Sequence, residues 1–140
     1  DAAESRGPNS VLTQVQAYAA PSNQVDVMVI QVGTNGAVTQ AQYDAIAAAA
    51  APVGKVFFMT IKTPYDYTEP NNAIIRALPN TYPNVQIIDW QTEAAKVEDG
   101  LSKADGGIHL NSGTAVRFYA NLILTAAGLE PIPDPDSGGG

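Results

Sequence analysis

The stretch from Val27 to Gly36 constrains this chain most. Val27, Met28, Val29, Ile30 and Val32 form a nearly unbroken apolar run bounded by turn residues. A strand of a parallel sheet, covered on both faces, reads this way, and the run is expected to be an interior strand over Val27 to Val32. Its carboxyl end delivers Gly33-Thr34-Asn35-Gly36 to the sheet edge, where ligands bind in open α/β folds. Two readings of Asn35 stand side by side. Asn-Gly is a strong turn signal and needs no function; the same position also puts an amide where chemistry is done.

A second apolar run, Lys55 to Thr63, is rich in β-branched and aromatic residues and reads as another buried strand. A third runs from Val85 to Asp89. Helical segments lie between them. Val11, Leu12, Val15, Tyr18 and Ala19 recur on one helical face, giving a helix over Ser10 to about Ala20, with Pro8, Asn9 and Ser10 as start signals. Thr39 with Gln42 makes a capping box, and Val38 with Tyr43 its hydrophobic staple, so a helix is expected from Gln40 to Ala51. Further helices are expected at Asn71 to Leu78, at Gln91 to Leu101, and from Gly113 to Ala127, the last opened by Asn111 or Ser112 and closed by Gly128.

Strands alternating with helices predict an α/β fold with a mainly parallel sheet. Three strands are few for a doubly wound sheet, which typically holds about five to six, and they leave the Val27 strand with a neighbour on one side only. At 140 residues, 45% of them hydrophobic and 15% charged, the chain has the means to bury one core. One domain is expected over residues 1–130. Asp1 to Gly7 is polar and without a strand of its own, and residues 131–140, alternating Pro and Asp before a run of glycines, are expected to be a disordered tail.

The charge balance narrows the partners. A net charge of -7 and a pI near 4.3 argue against nucleic acid and anionic lipid, both of which need clustered cations. With no Cys and a single His there is no thiolate nucleophile and no multi-histidine metal site, and no cofactor is expected. No apolar run approaches the roughly 18 to 20 residues of a membrane span, so the chain itself is expected to be soluble.

Two further stretches carry groups suited to a site. Pro64 to Pro70 falls at a strand's carboxyl end and offers Tyr65, Asp66 and Tyr67, which suit the lining of a sugar or polar-substrate cleft, although an ordinary Pro-bounded loop is the commoner meaning of such a stretch. Asp105-Gly106-Gly107-Ile108-His109-Leu110 precedes the last helix. There an Asp is placed to hold a His tautomer and stabilise an imidazolium during acyl transfer, though a lone His is commonly structural. Asn35 would complement it as an oxyanion donor.

Gly33-Thr34-Asn35 after a buried strand, with Asp-Gly…Ile-His-Leu before the closing helix, resembles the SGNH (GDSL-like) hydrolase superfamily. Tyr82-Pro83-Asn84-Val85 and Ile88-Asp89-Trp90 narrow the resemblance to the extracytoplasmic domain that follows the acyltransferase-3 membrane region in bacterial peptidoglycan and polysaccharide O-acetyltransferases. It covers roughly Asp1 to Gly128. The resemblance implies a three-layer, flavodoxin-like parallel sheet flanked by helices, here without its first strand and most of its second. It also implies an extracytoplasmic location, at the cell envelope, beside a membrane acyltransferase region. Asn35 matches the oxyanion-hole Asn, with Gly33 beside it; Ser5, in Glu4-Ser5-Arg6, matches the second block, whose residue donates a backbone N–H to the oxyanion; His109 matches the catalytic base.

The chain departs from that family in two places. It contains no Gly-Asp-Ser, the motif that carries the nucleophile, and none of Ser10, Ser22, Ser102, Ser112 or Ser137 follows a strand in the corresponding place. The family's Asp stands three residues before its His, where this chain has Gly106. Either the loop bulges to bring Asp105 round, which the adjacent glycines favour, or a Ser-His dyad works with a backbone carbonyl. Two functions are therefore carried forward. One is acyl-ester transfer or hydrolysis between an acyl donor and a cell-envelope glycan acceptor, with the nucleophilic Ser on a segment outside this chain; the chain alone is then expected to be inactive. The other is a non-catalytic domain that binds glycan or protein. A missing N-terminal segment or a second copy is expected beside Val27 to Val32, since an exposed strand edge is a template for pairing.

Overall fold

The computed structural model describes residues 5–135. Residues 1–4, and 136–140 of the expected tail, lie outside the described residues. Three parallel strands, β1 (Val27–Ile30), β2 (Lys55–Met59) and β3 (Val85–Ile88), form one sheet in the order β1-β2-β3. Val27 is in register with Lys55, and Val56 with Val85. The helices are α1 (Pro8–Tyr18), α2 (Gln40–Ala49), α3 (Thr68–Ala77), the single turn α4 (Trp90–Glu93) and α5 (Gly113–Ala126). The chain is thus an α/β protein, a three-stranded parallel sheet flanked by helices.

The period of two along each strand separates the core into two apolar clusters. Ile30, Val56, Phe58 and Val85 pack with Val15, Tyr43, Ile46 and Ile75 of α1, α2 and α3. Phe57, Met59 and Ile88 pack on the other face with Trp90, Leu101 and Ala115, joined by Val27, Val29, Phe118 and Tyr119. Strand β2 is apolar on both faces because both are covered, and its residues from Val56 to Met59 are all buried. The Val27 run has the same chemistry but lies at the edge: Val27, Met28 and Val29 are half-buried, and only Ile30 is fully enclosed.

Several boundaries differ from expectation, each for a local reason. Pro8 enters the first turn of α1, where its missing N–H costs nothing, and Gly7 is the N-cap. Helix α3 begins at Thr68, so Glu69 and Pro70 form its first turn instead of ending a loop. The β2 ladder stops at Met59 because the Asn72 side chain takes both backbone groups of Ile61, accepting from its N–H at 2.8 Å and donating to its carbonyl at 2.8 Å. The expected helix from Gln91 to Leu101 is the turn α4 followed by a 3-10 stretch, Ala94–Gly100, broken at Val97 (φ -130°). Gly100 ends it against α5, where a Cβ would lie 2.5 Å from Ser112 Oγ. The capping box at Thr39 and Gln42 forms, and Ser112 caps α5 by accepting from Ala115 N–H at 3.1 Å. Asn121 of α5 holds both backbone groups of Ile132 beyond the helix, at 2.7 and 3.0 Å.

Candidate functional site

Three loops meet at the carboxyl end of the sheet. The first, Gly33 to Gly36, follows β1. Gly33 is buried at φ +112°, and a Cβ there would lie 2.7 Å from Tyr43 Oη and 2.9 Å from Asn71 Nδ2, so only glycine fits. The loop is pinned by Asn71 of α3, itself 1% exposed. Its Nδ2 donates to the carbonyls of Gly33 (3.1 Å) and Gly36 (2.9 Å), and its Oδ1 accepts from Val38 N–H at 2.9 Å. Tyr43 Oη donates to the Val32 carbonyl at 3.0 Å, and burial raises the Tyr43 phenol far above its ordinary pKa. With its backbone held from below, the loop turns at Thr34-Asn35 and leaves Asn35 exposed.

The second loop follows β2. Thr63 and Thr68 share a hydrogen bond of 2.5 Å, and Tyr65 N–H donates to Thr63 Oγ1. Tyr65 and Tyr67 stack with ring centroids 5.5 Å apart and planes 27° apart. Tyr67 Oη donates to the Thr34 carbonyl at 2.8 Å, tying this loop to the first. Tyr65 and Asp66 are exposed, so the loop presents an aromatic face and a carboxylate to solvent.

The third loop carries Asp105 and His109. An antiparallel bridge between Leu101 and Leu110 closes its base, and Ser102 N–H donates to the His109 carbonyl at 2.8 Å. Gly106 and Gly107 take φ +70° and +89°, which wraps the chain around the Asp105 side chain. Asp105 Oδ1 accepts from Gly107 N–H (3.1 Å) and Ile108 N–H (2.9 Å), and Oδ2 lies 2.5 Å from His109 Nδ1. The bond to His109, with the backbone donors adding to it against a smaller desolvation effect, holds the Asp105 carboxyl below the usual carboxylate range. The loop rests on the second one: a Cβ at Gly106 would lie 2.6 Å from Pro64, and one at Gly107 would run into Lys62.

The four-residue spacing of Asp105 and His109 is thus closed by the two left-handed glycines, and the carboxylate, not a backbone carbonyl, partners the ring. The imidazole is 76% exposed. With Nδ1 engaged, Nε2 is the nitrogen available to take a proton. Among the described residues, the His109 ring is hydrogen-bonded to Asp105 and to no serine. Ser5 is exposed at φ +53°, Glu4 beside it lies outside the described residues, and Arg6 lines a groove that also reaches Thr34 and Asn35.

Asn71 and Asn72 are the residues that sequence reasoning missed. Consecutive asparagines early in a helix, a poor choice by propensity, were the available signal. They are spent on clamping the loops after β1 and β2. Among the described residues no group of three His, Cys, Asp or Glu is placed to hold a metal ion, and no helix is long and apolar enough to cross a membrane. Compared with models of known protein families and with curated protein sequences, the chain matches none.

Proposed function

We propose that this domain takes part in acyl-ester transfer or hydrolysis of the SGNH O-acetyltransferase and esterase type, acting on a cell-envelope glycan. The observation that carries the reading is the Asp105–His109 pair, fixed at 2.5 Å on a braced loop with the imidazole open to solvent. In this reading a serine outside the chain attacks the acyl carbon. His109 Nε2 takes its proton and returns it to the leaving oxygen, while Asp105 holds the tautomer and stabilises the imidazolium. The Asn35 amide and the Ser5 backbone N–H, beside Gly33, stabilise the oxyanion; one such donor is worth roughly 3 kcal/mol in the transition state. Tyr65 and Tyr67 offer a sugar ring a face to stack on, with Asp66 a hydroxyl acceptor beside them. An extracytoplasmic setting next to a membrane acyltransferase belongs to the same proposal.

The second reading is a non-catalytic relative that binds glycan or protein through the same face, where Tyr65, Asp66 and His109 stand exposed. Labelling with a fluorophosphonate separates the two. The chain by itself should take no adduct, and a stoichiometric adduct on Ser102 or another of its serines would refute the assignment of the nucleophile. Produced with the residues encoded ahead of Asp1, an enzyme should take one adduct, on a Ser of a Gly-Asp-Ser expected within roughly 30 residues. Its ester turnover should fall by about 100-fold or more in Asn35→Ala and in His109→Ala. A binding domain would show neither.

A further inference from the structure

The loop after β1 is pinned at three of its peptide groups and left loose at a fourth. Asn71 Nδ2 donates to the carbonyl of the 33–34 peptide at 3.1 Å and to that of the 36–37 peptide at 2.9 Å, and Tyr67 Oη donates to that of the 34–35 peptide at 2.8 Å. The peptide between Asn35 and Gly36 makes no hydrogen bond at its carbonyl or its N–H among the described residues, and the Asn35 side chain makes none either. Asn35 is exposed, so its amide meets water. Gly36, at φ +151°, has open space around it: a Cβ there would meet nothing within 4 Å. With glycine on its carboxyl side, the 35–36 peptide can rotate between its pinned neighbours at little cost.

We propose that Asn35 is a site of spontaneous deamidation in the folded protein, with water as the co-reactant. The Gly36 nitrogen gives its proton to hydroxide and attacks Asn35 Cγ. The bond from Cγ to the side-chain nitrogen breaks, that nitrogen leaves as ammonia with a proton from water, and a five-membered imide closes. Water then opens the ring at the former side-chain carbonyl, giving aspartate, or at the main-chain carbonyl, giving isoaspartate. The attack turns the Gly36 nitrogen toward the Asn35 side chain, which is a rotation of the one peptide that the fold does not hold. Asn35-Gly36 is also the one Asn-Gly of the sequence. The other asparagines are less open to the reaction. Asn71 and Asn72 are buried and bonded, and Asn23, Asn84 and Asn121 donate to backbone carbonyls. Asn9, Asn80 and Asn111 precede Ser10, Thr81 and Ser112, whose Cβ crowds the attacking nitrogen. Each event adds one negative charge to a chain of net charge -7. Isoaspartate also puts an extra backbone atom between the carbonyls that Tyr67 and Asn71 hold, so the product disturbs the loop. This inference does not depend on the acyl-transfer reading, and either can fail without the other; where both hold, deamidation replaces an oxyanion donor with a carboxylate.

The test incubates the folded chain at mildly alkaline pH beside the capped peptide Gly-Thr-Asn-Gly-Ala. Peptide mapping by mass spectrometry and labelling with isoaspartyl methyltransferase locate and count the product. Isoaspartate should appear at Asn35 ahead of every other asparagine, and faster as the pH rises, because the attacking nitrogen must lose its proton. It should be absent at this position in Asn35→Gln, whose imide would need a six-membered ring. A single hydrogen bond holding the 35–36 peptide would slow the reaction about five-fold. The folded chain should therefore react less than about five-fold more slowly than the peptide. Slowing by about five-fold or more would show that the fold protects the site and would overturn the proposal. So would isoaspartate at another asparagine ahead of Asn35, or a rate at Asn35 that does not rise with pH.

Discussion

Replacing Asn71 with Ala should cost this domain about 3–4 kcal/mol. The side chain is buried and makes three hydrogen bonds, to Val38 N–H and to the carbonyls of Gly33 and Gly36. Truncation leaves Val38 N–H and the Gly33 carbonyl unpaired in buried residues, at about 1–2 kcal/mol each; the half-exposed Gly36 carbonyl can turn to water and adds about 0.5 kcal/mol. Against a total stability of about 5–15 kcal/mol, that loss is read easily by urea unfolding. With a slope near 2 kcal/mol/M, the midpoint should fall by roughly 1.5–2 M. Asn71→Asp sharpens the test, because it keeps the acceptor for Val38 N–H and sets a carboxylate against two carbonyl oxygens; it should cost at least as much as Ala. Gln40→Ala, which removes an exposed bond to Asp44, is the control and should stay within about 0.5 kcal/mol. A loss below about 1 kcal/mol for Asn71→Ala, or a milder effect for Asp than for Ala, would refute the clamp.

Gly33→Ala should lower stability by about 2–3 kcal/mol, since it combines a left-handed backbone with a Cβ set against two hydrogen-bonded groups; thermal melting should show a fall of about 6–12 °C. Asp89 is raised by partial desolvation but pulled further down by hydrogen bonds from Thr92, Thr60 and Arg76 and by the Arg76 charge, so its carboxyl sits below the usual range. Its folded pKa being depressed, its contribution is present at neutral pH and lost as the pH falls from the usual carboxylate value through the folded one. Asp89→Asn should therefore be less stable than wild type at neutral pH and show a shallower acid limb in melts across that range. Asp105→Ala should leave the fold intact but free the His109 ring, detected as a change in its nitrogen tautomer signals by NMR; unchanged signals would show that the pair does not orient the imidazole.

The sheet was legible because its signals are local. A buried parallel strand is a short apolar run, and Val27 to Ile30, Lys55 to Met59 and Val85 to Ile88 all announce themselves that way. Caps were legible for the same reason: Thr39-Gln42 and Ser112 act within one turn. The Asp105–His109 contact was readable as an alternative, because consecutive glycines permit the wrap that a four-residue spacing requires. The clamps were not readable. Asn71 and Asn72 act on partners 11 to 38 positions away, and nothing in their own neighbourhood says which backbone they will meet. The break at Val97 was hidden as well, since Val97 leaves helical geometry while packing against the cluster of Trp90, Leu101 and Ala115, a tertiary demand that overrides local periodicity.

What distinguishes the carboxyl edge from ordinary turns is how its hydrogen bonds are divided between backbone and side chain. In the first loop the carbonyls of Gly33, Thr34 and Gly36 are bonded to Asn71 and Tyr67, while Asn35 stays exposed. In the third, the amides of Gly107 and Ile108 and the carbonyl of His109 are all engaged, while the imidazole stands in solvent. Under the proposed acyl-transfer reading, a held backbone with a free side chain would keep Asn35 and His109 in place without ordering them at the moment of reaction. The loops are coupled as well, since Tyr67 bonds Thr34, Tyr65 stacks on Tyr67, and Pro64 packs under Gly106. If that coupling holds, a change confined to the first loop, such as Gly33→Ala, should also speed amide exchange at Gly107 and Ile108; unchanged exchange there would mean that the loops are neighbours without being one site.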